Sequence, residues 1–170
     1  MSLKTKDLKL GDVYEELVVE NLSRTQLVMY SGASGDYNPL HIDEEFCKQT
    51  QFGTRIAHGP LVYSIAAGLL FQLHLYDDTL IAFLGFDSLK FTLPVKIGDT
   101  VRVRVEVLEK RETSKPDRGV MKRLLQVLNQ RDEVVQEGVH AYLLKKKSAA
   151  KIMQINLSNI LLRRKSCPIL

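Results

Sequence analysis

The stretch Pro60-Leu61-Val62-Tyr63-Ser64-Ile65-Ala66-Ala67-Gly68-Leu69-Leu70-Phe71-Gln72-Leu73-His74-Leu75-Tyr76 is the one long apolar segment of the chain. Proline at its start suits the first turn of a helix, where a missing N–H costs nothing. Apolar residues fall on nearly every side of the helix predicted over residues 60–76, and such a helix is expected to be buried. It stays below the roughly 18 residues of a membrane span. After it the period changes. Leu80 to Leu93 reads as a strand with a bend near Gly85. Val101-Arg102-Val103-Arg104-Val105-Glu106-Val107 alternates strictly, the mark of a sheet with one wet face. Met121 to Leu128 and Val134 to Leu144 are further strands, with turns at Lys115-Pro116-Asp117-Arg118-Gly119 and Asn129-Gln130-Arg131-Asp132-Glu133. One buried helix followed by long antiparallel strands predicts an α+β fold with a sheet wrapped around a helix.

Upstream, Val13 to Val19 reads as a short strand. Ser23 is a candidate cap for a helix from Arg24 to about Ser31. Asp43-Glu44-Glu45 opens another short helix, with acids where the macrodipole favours them. Between these lies Gly35-Asp36-Tyr37-Asn38-Pro39-Leu40-His41, which is read as a loop because Gly, Asn and Pro punctuate it. It sets a carboxylate and an imidazole five positions apart on a rigid turn, a common way to present an acid/base pair. Spacing alone leaves a bland reading open, with Asp36 as an Asx-turn residue and His41 bonded to backbone. A second landmark, Ala57-His58-Gly59-Pro60-Leu61, opens the apolar helix.

With 170 residues the chain is read as one domain able to bury a real core. No secretory signal is visible at the N-terminus, and Cys47 and Cys167 form neither a disulfide framework nor a metal-ligand spacing. A reducing, cytoplasmic setting is expected. The net charge of +4 is misleading. Residues 145–170 carry seven Lys/Arg and no acid, leaving 17 basic and 20 acidic residues in 1–144, a net of −3. The body gives no reason to invoke nucleic acid.

Three motifs in order resemble one family. Tyr30-Ser31-Gly32-Ala33-Ser34-Gly35-Asp36-Tyr37-Asn38-Pro39-Leu40-His41 resembles the signature of the MaoC-like (R)-specific enoyl-CoA hydratases. His58-Gly59-Pro60-Leu61 resembles their His-Gly motif at the start of the central helix. Phe91-Thr92-Leu93-Pro94-Val95-Lys96-Ile97-Gly98-Asp99-Thr100-Val101 resembles the strand and turn that follow. The match runs from about Leu8 to Leu144. It implies a hot-dog fold over residues 1–147, a curved antiparallel sheet around a long central helix, with two subunits pairing as a homodimer.

The resemblance also implies reversible addition of water to a trans-2-enoyl-CoA, giving an (R)-3-hydroxyacyl-CoA. Asp36 and His41 would hold the water, with Asp36 as base and His41 orienting it, although the proton donor could be the reverse. The Gly59 backbone N–H, at a helix N-terminus, suits the developing oxyanion. Asn38 and His58 would support the loop. Ala67 and Leu70 would line the acyl tunnel. Arg55 and Lys96 are candidates for coenzyme A phosphates, with ordinary surface charge as the competing explanation. No metal or redox cofactor is expected, since the coenzyme A thioester is itself the substrate. His74 and His140 have no metal-site spacing, and Ser64 lacks a nucleophile elbow. Three other readings stay open: a branched or dicarboxylic acyl-CoA such as mesaconyl-CoA, a hot-dog thioesterase, or a non-catalytic acyl-CoA-binding protein. A dicarboxylic acyl group would need a cation inside the tunnel, and the buried helix offers none.

Residues 148–170 lie outside the resemblance. They read as a loosely docked basic tail. The end, Arg163-Arg164-Lys165-Ser166-Cys167-Pro168-Ile169-Leu170, has the form of a prenylation box on Cys167, which would give membrane contact. A chance match is the plainer reading.

Overall fold

The computed structural model describes residues 9–146 except 20, 21, 74, 75 and 77. The basic tail, Cys167 and His74 lie outside the described residues. The elements in chain order are β1 (Val13–Val19), α1 (Arg24–Ser34), α2 (Pro39–Ile42), α3 (Glu44–Lys48), α4 (Gly59–Gln72), β2 (Leu80–Phe91), β3 (Val101–Glu112), β4 (Arg118–Asn129) and β5 (Val134–Lys145). The strands form one antiparallel sheet in the order β1-β3-β4-β5-β2, so β1 and β2 are its edges. The expected α+β arrangement is the observed one.

The period-2 pattern of β3 places Val101, Val103, Val105 and Val107 on one face, each at most 1% exposed. They pack with Leu61, Val62, Ala66, Leu69 and Leu70 of α4 and with Leu22 and Leu27. Burying each such side chain stabilises the fold by about 1.5–3 kcal/mol. On β5 the inward positions are Gln136, Gly138, His140 and Tyr142, paired with Val127, Leu125, Arg123 and Met121 of β4. β2 bends where expected: its register with β5 shifts between Phe83 and Gly85, and Gly85 takes φ 134°, a conformation costly for any other residue.

Three expectations are corrected. The 35–41 segment is not all loop: Asn38 caps a single turn, α2, that includes His41. Pro39 fills the first helical position, where its ring is an asset. Helix α4 stops at Gln72, before Tyr76, which turns toward the sheet and accepts a 2.6 Å hydrogen bond from Arg123. Nor is α4 buried all round, because Ser64, Gly68 and Phe71 are exposed along one side. Ser64 donates to the Pro60 carbonyl one turn back, at 2.8 Å.

Candidate active site

The site is assembled by three helix ends. Ser23 caps α1 in a reciprocal box with Gln26. The helix ends on Gly35 in the left-handed region at φ 77°, whose N–H donates to the Ser31 carbonyl at 2.9 Å. That reversal places Asp36 beside the next turn. Its Oδ1 accepts from the Asn38 N–H at 3.2 Å, and the Asn38 Oδ1 accepts from the Leu40 N–H at 3.0 Å. Asn38 therefore caps α2. The Asx turn of Asp36 is present: Oδ1 is used locally, which leaves Oδ2 turned to His41.

His41 Nδ1 lies 2.8 Å from the Ile56 carbonyl oxygen, which can only accept. Nδ1 therefore carries the proton, and in the neutral ring Nε2 is an acceptor. It lies 4.0 Å from Asp36 Oδ2. That is too long for a direct bond and suits two acceptors sharing one donor molecule, each at about 2.8 Å. The His41 side chain is 12% exposed and that of Asp36 49%, so the pair opens to a ligand on the carboxylate side.

His58 supports the pair from below. It is fully buried, its ring stacks on His41 with centroids 3.7 Å apart, and Nε2 lies 3.2 Å from both the Asp36 carbonyl and Ser31 Oγ. Donation from Nε2 to the carbonyl ties α4 to the Asp36 turn. Burial lowers the His58 pKa, so it stays neutral. Asp36, His41 and His58 bring possible ligand atoms within 4.8 Å of one another. Imidazole lone pairs lie in the ring plane, and two stacked rings aim theirs along separate planes. The arrangement suits hydrogen bonding better than chelation.

Gly59 begins α4, where first-turn N–H groups lack intrahelical partners. A methyl group there would lie 2.5–2.9 Å from the Phe91 ring, so a side chain at this position would force that ring to move. A cleft of about 370 Å³ is lined by His41, Gly59, Val62, Phe91, Val95 and Gln136, among others. The expected acyl residues do not line it: Leu70 belongs to the core, and Ala67 is half-buried elsewhere on α4. The two candidate phosphate ligands, Arg55 and Lys96, are both engaged within the fold. Arg55 is 5% exposed and bonds Glu44 Oε2 at 3.0 Å, while Lys96 donates to the Phe52 carbonyl at 2.8 Å. Both hold the 52–58 loop. Sequence reasoning missed Gln136 as part of the cleft and Ser31 as a partner of His58. The signal for Gln136 was a polar residue at an inward position of a strand.

Comparison with known proteins gives the family of the chain. Residues 7–127 match the family model described as MaoC like domain. The chain is 36% identical over 105 residues to a 3-hydroxybutyryl-CoA dehydratase of Methylorubrum extorquens, covering 61% of this chain and 63% of the relative. It is 40% identical over 87 residues to an (R)-specific enoyl-CoA hydratase of Aeromonas caviae, covering 51% and 63%. Less than two thirds of either relative is thus spanned. A structure described as a monoamine oxidase regulatory protein from Archaeoglobus fulgius superimposes with TM-score 0.80 at 34% identity, covering 87% of this chain and 99% of that one. A double hot-dog protein from Mycobacterium tuberculosis gives TM-score 0.73 at 24% identity over 84% of this chain and 44% of that one, a likeness of fold alone. The five-stranded antiparallel sheet packed on α4 is a hot-dog fold. The chain belongs to the MaoC-like family.

Proposed function

We propose that this protein is a hydro-lyase that adds water reversibly to trans-2-enoyl-CoA, giving an (R)-3-hydroxyacyl-CoA. The observation that carries the reading is the 4.0 Å approach of Asp36 Oδ2 to a His41 nitrogen left as an acceptor, beside a cleft that also holds Gly59. A water donating to both acceptors presents its oxygen to C3 of the enoyl group. Asp36 takes one proton as the C3–O bond forms and the C2=C3 electrons move toward the thioester oxygen. The Gly59 N–H stabilises that oxygen, aided by the α4 dipole. The enolate is then protonated at C2 from the Asp36–His41 pair, and every atom of the water ends in the product. The step needs no metal or redox cofactor. In this reading two copies pair edge to edge as a homodimer and work in the cytoplasm.

Crotonyl-CoA tests the activity. The reading expects loss of the conjugated ultraviolet band, no free thiol and an (R)-configured product. Thiol release would instead indicate a thioesterase, and binding without turnover an acyl-CoA-binding protein.

A further inference from the structure

The inner face of β4 and β5 holds polar groups that the proposed hydration does not use. Gln136 is 2% exposed and lines the cleft, yet neither its Oε1 nor its Nε2 has a hydrogen-bond partner. Four residues along the strand, His140 is fully buried with both ring nitrogens unpartnered. Its Nε2 leans over Gly138, 3.1 Å from where a Cβ would stand there. Opposite His140 on β4 is Arg123, 1% exposed and forming no ion pair among the described residues. Its guanidinium rests on the rings of Tyr76 and Tyr142 at 4.9 and 4.1 Å, Nη1 donates to the Tyr76 hydroxyl, and Nε is unpartnered. Buried donors are nearly always satisfied, and a buried cation without an anion is costly.

Of these groups Gln136 lines the cleft, and His140 and Arg123 lie further along the same sheet face, packed against aromatic rings. Gly59 meets Phe91, which pairs with Gln136 across β2 and β5. One turn further along α4, Tyr63 packs edge-on against Phe86 and His140, with centroids 5.0 and 5.4 Å apart. Phe86 and His140 are themselves cross-strand partners. Two matched layers therefore lie between helix and sheet. A thioester carbonyl at Gly59 would direct its acyl chain from the first layer toward the second, where two unpartnered N–H donors, one on the neutral His140 ring and one at Arg123 Nε, lie beside a positive charge. Described carboxylates that could compete are absent from the ring of groups around His140, which consists of Tyr63, Phe83, Phe86, Arg123 and Tyr142.

We infer that the acyl group accepted by this site ends in a carboxylate, bound at His140 and Arg123 with Gln136 bonding the chain on the way. The inference rests on the acyl-thioester reading above and narrows it to dicarboxylic thioesters. The missing cation is thus supplied by the sheet and not by the helix.

Two saturated thioesters that cannot be hydrated, butyryl-CoA and succinyl-CoA, differ in the terminal carboxylate alone. Calorimetric titration of the full chain is expected to show succinyl-CoA binding about tenfold more tightly or better, the scale of hydrogen bonds to a charged group. In Arg123→Met the preference should vanish. Because that change could unfold the protein, His140→Phe, which keeps a ring in the aromatic box, should lower the same ratio. Equal or tighter binding of butyryl-CoA, or an unchanged ratio in a folded variant, would overturn the inference. Crotonyl-CoA hydration measured alongside separates the two levels. Turnover without a succinyl preference removes the inference and leaves the hydratase reading. Failure of both thioesters to bind removes both.

Discussion

His41 donates a hydrogen bond from Nδ1 to the Ile56 carbonyl, and that bond decides what the other nitrogen can do. In that tautomer Nε2 faces Asp36 as an acceptor, so the two can share one water, with His58 stacked beneath to hold the ring. Gly59 shows the same economy: the space that a side chain would occupy is filled by Phe91. Gly59→Ala is expected to lower crotonyl-CoA turnover and the thermal midpoint together. Gly59→Ala combined with Phe91→Ala should recover the midpoint, since the collision is with a ring that can be removed. A midpoint as low in the double variant as in Gly59→Ala would show that the clash is not the cause. The Asp36–His41 spacing was legible in the sequence because turn formers around it left few ways to arrange the two. The tautomer was not, since it depends on a carbonyl fifteen residues away.

At the level of elements, the site is made of helix ends. Its positions therefore depend on caps and on the loop joining α3 to α4. Arg55 clamps that loop to Glu44, whose carboxyl is held below its usual range by bonds from Thr54 and Arg55. Arg55→Met should lower the denaturant midpoint by removing the ion pair with half-exposed Glu44, and leave KM for coenzyme A thioesters unchanged. Denaturant midpoints and steady-state kinetics check the two halves, and a raised KM with unaltered stability would return Arg55 to a phosphate-binding role. The long elements were readable from period alone: alternation found β3, and turn residues bounded β4 and β5. The short ones were not. A single turn such as α2 has no period, and Asn38-Pro39 signals a loop and a helix start equally well. The end of α4 was hidden because Leu73 and Tyr76 are apolar in either geometry. Their burial is decided by contacts with the sheet, Arg123 among them.

Across the whole molecule, the core joins α4 to the inner face of a five-stranded sheet. Among the described residues no helix is long and apolar enough to cross a membrane. The interior also holds a titratable group far from the Asp36 turn: burial lowers the His140 pKa to about 4, with Arg123 adding to the effect. An unfolded histidine titrates near 6.5, so the unfolded chain binds the extra proton between that pH and about 4. The contribution is complete above pH 6.5 and is lost as pH falls toward 4. It amounts to about 3 kcal/mol at full extent. Denaturant unfolding at intervals from pH 7 to 4 should show a steeper fall for the wild type than for His140→Phe. Equal slopes would mean that His140 does not resist protonation. The central claim, that Asp36 and His41 together add water to an enoyl thioester, is tested most directly by the decay of the conjugated band of crotonyl-CoA with wild type, Asp36→Asn and His41→Gln. Each variant should retain the fold and lose about 10²–10⁴-fold in kcat. Wild-type turnover that survived in either folded variant would contradict the assignment, and an unchanged band with wild-type protein would contradict hydration of a simple enoyl thioester.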